Sequence, residues 1–328
     1  MHILITGASG FLGKHLVQKL LSGGHNLRLV TRKRCNIDQM LAQEPRVRIV
    51  EADLTKPETL QGILTGSEVV YNLAGILGQA NITDDVYWQT NYQSTGNLLK
   101  LCVQEKTVRR FIHCSSAGVQ GPIENPPADE SFPYAPSNIY ETTKAAAEKM
   151  VLEYQKKHNF PVVVLRPEFV YGPGDLHVLG LFKAIGSGRF VVFGDGSTWL
   201  HPTYIDDAVQ ACELALDNDA ALGQVYIIAG ERAVTVRELA DQIADTLKVK
   251  RPRSVPMWIG RWAAVTLEEI GKAFSKEMPF NRARLKFFTQ NRNFKIDKAH
   301  TELGYQPQFN LARGLASTVD WYKQEGYL

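Results

Sequence analysis

Apolar runs separated by amphipathic stretches organise the first half of the chain. His2–Ile5 is apolar and reads as a strand buried on both faces, and further strands are predicted at Asn26–Thr31, Val47–Val50, Val69–Leu73, Arg110–Cys114 and Val162–Leu165. Between them apolar residues recur at helical spacing. Phe11, Leu12, Leu16, Val17, Leu20 and Leu21 make one face of a helix over Gly10–Leu21, and helices are also predicted near Lys56–Leu64, Tyr87–Gln104 and Asn138–Lys157. This alternation predicts an α/β fold, a doubly wound parallel sheet with helices on both faces and a ligand at the carboxyl edge of the strands.

The first strand runs directly into a glycine turn, Thr6-Gly7-Ala8-Ser9-Gly10-Phe11-Leu12-Gly13. Gly7 permits a tight turn, Gly10 a close backbone approach, and Gly13 the packing of the next helix on the sheet. The helix start then offers unpaired N–H groups to a dinucleotide pyrophosphate. An ordinary strand-turn-helix carries the same glycines. A P-loop is disfavoured, because Ala8 stands where its first glycine should be and Gly13-Lys14 is followed by His15.

Downstream, Tyr140 and Lys144 are four residues apart on a predicted helix and so share a face. A phenol is a weak base at neutral pH, and a nearby ammonium favours its ionised form. Ser115 and Ser116 end the fifth strand, with Ser116 24 residues before Tyr140. A Tyr-x-x-x-Lys pair is common by chance. Its occurrence after a glycine turn, in order and at domain-scale spacing, points to transfer of a hydride and a proton.

The pattern changes after Arg166. Gly172-Pro173-Gly174, Gly186-Ser187-Gly188 and Gly194-Asp195-Gly196 break the chain into shorter, more aromatic elements. Residues 1–170 are expected to form a dinucleotide-binding domain and 171–328 a smaller substrate domain. Segments near 203–229 (a helix over Asp207–Ala215, a strand over Val225–Ala229) return to the main sheet. Pro122–Pro136 is predicted to be a loop.

Composition excludes several classes. A net charge of +3 over 328 residues gives no case for nucleic acid. Four scattered cysteines without a CxxC pair suggest reduced thiols in the cytoplasm, and none of the eight histidines has a metal-site spacing, so no metal is expected. The chain enters a strand at its first residues, which leaves no room for a signal peptide. Met257–Gly271 is interrupted by Arg261, Glu268 and Glu269, too charged to span a membrane, and reads as an amphipathic helix.

With these motifs the chain resembles the extended short-chain dehydrogenase/reductase family, also described as NAD(P)-dependent epimerase/dehydratase. Further matching pieces are Asp53-Leu54, Asn72-Leu73-Ala74-Gly75, Asn91 with Thr95-Gly96, Ser115-Ser116-Ala117, Arg166–Gly174, Tyr204–Ala208 and Glu302–Pro307. The resemblance implies a Rossmann sheet and a set of roles. Gly7, Gly10 and Gly13 cradle the pyrophosphate, with Phe11 and Leu12 beside it. Asp53 and Leu54 border the adenine, and Leu73, Ala74 and Gly75 line the cofactor. Ser116 holds the substrate oxygen, Tyr140 exchanges the proton, and Lys144 binds the ribose and tunes the phenol. Pro167 and Val170 flank the nicotinamide, and Asn91 positions the substrate or the catalytic helix within the cofactor site. It also implies a homodimer, paired through the helices near Tyr87–Gln104 and Asn138–Lys157.

The second strand ends in Thr31-Arg32-Lys33-Arg34, without the acid that accepts a bond from an NAD ribose. A guanidinium suits a 2′-phosphate, so NAD(P) is the expected cofactor with NADP favoured and Arg32 the first candidate, against a plain solvated cation. Sugar-nucleotide members carry a diphosphate-gripping arginine about six positions before the first Asp of Tyr-Ile-Asp-Asp, and here Leu200 stands there. Arg282 and Arg284 remain candidates for a phosphate, and Trp199, Trp258, Trp262 and Phe274 for an apolar pocket. The leading expectation is an oxidoreductase interconverting a secondary alcohol and a ketone. The alternatives are a nucleotide-sugar epimerase or dehydratase with internally recycled hydride, and a non-catalytic dinucleotide-binding protein.

Overall fold

A computed structural model of the chain describes residues 1–33, 37, 41, 43–77, 82–273, 285–286 and 288–328. Seven parallel strands form the central sheet. In chain order they are β1 (His2–Thr6), β2 (Asn26–Thr31), β3 (Val47–Glu51), β4 (Val69–Asn72), β5 (Arg110–Cys114), β6 (Val162–Pro167) and an edge strand, Val225–Ile228. Their spatial order is edge strand, β6, β5, β4, β1, β2, β3. The chain therefore reverses its direction of travel between β1 and β4, and a crevice opens at the carboxyl ends of these two strands.

Both faces of the sheet are buried, as the apolar runs require. Ile3 and Ile5 of β1 join one core cluster with Leu16 and Val17 of helix α1 (Phe11–Ser22), Ile112, Val163 and Val209. Leu4, between them, joins a second cluster on the other face with Val70, Leu98, Leu99, Phe111 and Val151. The period-two alternation of the strand sends neighbours to opposite layers.

Two predicted helices differ in form. Lys56–Leu64 contains only a single 3-10 turn, Pro57–Thr59. Gly62 sits at φ +71° in the left-handed region, and the Thr59 hydroxyl donates towards the Asp53 and Lys56 carbonyls, which favours successive turns over a helix. The span predicted as one helix over Tyr87–Gln104 starts as α-helix at Asp84–Tyr87, widens into a π turn at Trp88–Gln93, and resumes as Ser94–Gln104. The π turn carries Asn91. Pro122–Pro136 is a loop, and the catalytic candidates follow it on a long helix, Ile139–His158.

Beyond β6 lie paired two-residue strands and four further helices among the described residues: Leu179–Gly186, Ile205–Leu214, Val236–Leu247 and Met257–Ala273, before the last helix Leu311–Gln324. No described helix is long and apolar enough to cross a membrane.

Candidate active site

The glycine turn closes on itself and on the end of β4. Gly10 N donates to Gly7 O at 2.9 Å. A Cβ on Gly13 would lie 2.2 Å from the Gly7 carbonyl oxygen, and one on Gly7, at φ +68°, would lie 2.8 Å from Ala74 N. No side chain fits either place. The Thr6 hydroxyl accepts from Ala74 N at 3.1 Å and bonds Asn72 Oδ1 at 3.1 Å, which ties the ends of β1 and β4 together. Helix α1 follows its N-cap Gly10 without a side-chain cap, so its first N–H groups are left unclaimed by a capping side chain. Such a cradle of bare backbone fits a dinucleotide diphosphate.

On the next strands, Ser116 caps the short turn Ala117–Gln120, its Oγ accepting from Gly118 N at 3.1 Å. Asn138 caps the helix Ile139–His158, its Oδ1 accepting from Glu141 N at 2.9 Å, which fixes where Tyr140 enters the first turn. Tyr140 is half-buried and its hydroxyl is hydrogen-bonded by Ser116. Lys144, one turn on, is buried and donates to the Cys114 carbonyl at the end of β5. The three predicted residues therefore converge at one strand end. Asn91 joins them: its Nδ2 donates to Thr143 Oγ1 at 3.1 Å and its Oδ1 accepts from Ile76 N at 2.8 Å. The widened π turn thus links the segment after β4 to the helix Ile139–His158.

Electrostatics here are governed by burial. Burial pushes the Tyr140 phenol above its ordinary value; charge on Cys114, Glu168 and Glu141 adds to this, and the bond from Ser116 opposes it. Burial likewise lowers the Lys144 ammonium, against Cys114 and Glu148. In this arrangement desolvation outweighs the lowering of the phenol expected from the lysine alone.

The other predicted positions spread along the crevice. Leu73 and Ala74 are partly buried beyond β4, Gly75 is exposed, and Leu54 is buried beside a partly buried Asp53. Burial works to raise the Asp53 carboxyl, but the Thr55 hydroxyl and amide and the charge of Arg32 hold it below its ordinary value. Arg32 is thus exposed yet close enough for its charge to act on Asp53. Phe11, Leu12, Pro167 and Val170 are all partly buried. Phe169, between the last two, holds a left-handed φ of +34°, a strained backbone at the strand end.

Of the residues offered for an apolar pocket, the described tryptophans stand at the surface. Trp258 and Trp262 are 63% and 70% exposed. Their helix packs through its opposite side, where a Cβ on Gly260 would meet the Phe193 ring at 2.5 Å, so the tryptophans face outward. Leu200 is buried, paired antiparallel with Val234, and Trp199 beside it is 38% exposed. Arg34, Cys35, Phe274, Arg282 and Arg284 lie outside the described residues.

Several charged residues of the site were not singled out in the sequence. Glu148 is buried one turn beyond Lys144. It takes Arg166 Nη2 at 2.6 Å, Ser115 Oγ at 2.5 Å and Tyr134 OH at 2.7 Å. A signal existed: Tyr140, Lys144 and Glu148 share one helix face, and Arg166 interrupts an apolar strand. Glu141, Glu168 and Arg292 form a second buried group beside Ser116, and Arg292 carries no motif of its own.

The family described as NAD dependent epimerase/dehydratase matches residues 3–229. A decarboxylating sterol-4-alpha-carboxylate 3-dehydrogenase of Schizosaccharomyces pombe is 29% identical, covering 98% of this chain and 98% of its own. An N-acetyl-alpha-D-glucosaminyl-diphospho-ditrans,octacis-undecaprenol 4-epimerase of Escherichia coli O157:H7 is 26% identical, covering 98% and 95%. Among solved structures, the UDP-glucuronic acid 4-epimerase of Bacillus cereus in complex with NAD superimposes with a TM-score of 0.78 at 26% identity over 99% of each chain. With its parallel sheet, its glycine turn and relatives that are enzymes, this chain belongs to the NAD dependent epimerase/dehydratase family and is an enzyme of the extended short-chain dehydrogenase/reductase type.

Proposed function

We propose that the chain interconverts a secondary alcohol and a ketone with an NAD(P) coenzyme, through Ser116, Tyr140 and Lys144. The observation that carries this reading is their convergence at the end of β5, in the same sheet edge as the glycine turn. Gly7, Gly10 and Gly13 hold the diphosphate, with Phe11 and Leu12 alongside; Asp53 and Leu54 border the adenine; Leu73, Ala74, Gly75, Asn91, Pro167 and Val170 line the path to the nicotinamide. The nicotinamide, when bound, supplies the redox chemistry. Tyr140 takes the alcohol proton in the oxidative direction and returns it to the carbonyl oxygen in the reductive one. Ser116 donates to the developing alkoxide. Lys144 places its ammonium beside the phenol and the ribose, and residues 171–328 supply the substrate side.

Leu200 favours an alcohol or ketone without a nucleotide over a nucleotide sugar, since an aliphatic side chain grips no diphosphate. The second reading, an epimerase with internally recycled hydride, is supported by the relatives that carry that name. Steady change in reduced-nicotinamide absorbance with free coenzyme and a panel of secondary alcohols, sterols included, is expected; epimerised product without it would select the second reading. Tyr140→Phe should lower turnover by about a hundredfold or more while coenzyme affinity stays within a few fold. Unchanged turnover would remove Tyr140 from its role. Arg32 is proposed to contact a 2′-phosphate, favouring NADP. Arg32→Ala should weaken NADPH about tenfold with little effect on NADH, a change of about 1.4 kcal/mol read by fluorescence titration.

A further inference from the structure

The second charged group beside the site has no place in the proton transfer itself. Arg292 comes from near the end of the chain, 151 residues from its partner Glu141. Its backbone is held on several sides: Arg292 N donates to Trp199 O at 2.8 Å, Ile123 N to Asn291 O at 2.9 Å, and Ala128 N to Asn293 O at 3.0 Å. Its guanidinium is buried. Nη2 lies 2.5 Å from Glu141 Oε1, Nη1 lies 3.9 Å from Glu168 Oε2, and Nε has no hydrogen-bond partner among the described residues. A Cβ placed on Gly118 would stand 3.1 Å from Ser116 Oγ, 3.2 Å from Arg292 Nη1 and 3.2 Å from Glu141 Cγ. The guanidinium and the serine hydroxyl thus flank the same glycine.

We propose that Arg292 is a positioning residue for Tyr140: bridging Glu141 on the catalytic helix and Glu168 at the end of β6, it fixes the helix start against the strand ends and shields the phenol from both carboxylates. Glu141 follows Tyr140 in sequence, and its other oxygen accepts from Ser137 N at 2.7 Å and Ser137 Oγ at 2.8 Å, so the bridge acts on the turn that carries the phenol. Two carboxylates near one phenol resist its ionisation, and a cation held between them counters both. Burial raises the Glu168 carboxyl to about 7, and the Arg292 guanidinium, 3.9 Å away, opposes the rise. The groups acting on the phenol are Glu141 from its own helix, Cys114 and Ser116 from the end of β5, Glu168 just after β6 and Arg292 from the C-terminal segment; Lys144 is one helical turn away.

This inference rests on Tyr140 being the proton-exchanging group, so the test reads the phenol directly. The full chain is labelled at the tyrosine ring carbons and titrated by NMR with saturating oxidised NADP; the Tyr140 resonance is the one missing from Tyr140→Phe. Arg292→Gln should raise its ionisation midpoint by about one pH unit, Glu168→Gln should lower it by about half a unit, and Arg292→Lys should fall between wild type and Arg292→Gln. Coenzyme affinity should stay within about twofold, because none of these side chains lies at the glycine turn. A midpoint unmoved by both Arg292→Gln and Glu168→Gln overturns the proposal, as does a Tyr140 resonance that stays un-ionised to about pH 11 in all variants. Should Arg292→Gln fail to fold, the downward shift in Glu168→Gln decides. Full turnover in Tyr140→Phe would instead defeat the functional reading while leaving these midpoints interpretable.

Discussion

At the glycine turn the partners are close in sequence: Gly10 N reaches Gly7 O three residues back, and Gly13 packs on the same carbonyl. Beside Ser116 the partners are remote, with Glu141 meeting Arg292 across 151 residues and Ser115 meeting Glu148 across 33. The first region is specified by which residues lack side chains, and the second by charges that the fold must gather. A turn closed by local bonds tolerates little change in shape, and its long-range ties run to one neighbour, the end of β4, through Thr6 and Gly7. A gathered charge cluster loses more when one member is removed, because its partners stay buried without compensation.

Three substitutions sharpen this contrast. The largest effect is expected at Glu148→Gln, which leaves Arg166 buried against a neutral partner; denaturant unfolding should show a loss of about 3–5 kcal/mol. A loss below about 1 kcal/mol would mean that water or neighbouring carbonyls satisfy the guanidinium. Gly13→Val comes next. Its side chain collides with backbone at 2.2 Å, so the turn must open, and coenzyme affinity should fall about a hundredfold in fluorescence titration. Near-normal affinity would show that the turn is not the diphosphate cradle. The smallest effect is expected at Trp262→Ala on the outward face of the Met257–Ala273 helix. At 70% exposure it should change stability by less than about 0.5 kcal/mol. A larger loss would show that the helix face is covered in solution.

The same contrast explains which expectations held. The six strands predicted in the first half of the chain are present, five to within one residue at each end and β6 two residues longer than predicted, since residues that must leave water on both faces admit few other conformations. The i, i+4 spacing of Tyr140 and Lys144 placed them on one helix face, and the structure brings both to the end of β5 with Ser116. Lys56–Leu64 misled because helix-favouring residues there compete with a left-handed Gly62 and with the hydroxyl of Thr59. The tryptophans misled for a different reason. Aromatic residues on a helix bury themselves only if their face meets a neighbour, and here Gly260 lies on the contacting side.

By itself the sequence determined the parallel sheet, the bare-backbone turn and the shared face of phenol and ammonium, because each follows from chain geometry over a few residues. Only the tertiary structure decided that Arg166 neutralises Glu148 and that Arg292 stands between Glu141 and Glu168. Those pairings depend on desolvation and on distances between chain-remote segments, and no spacing along the chain encodes either.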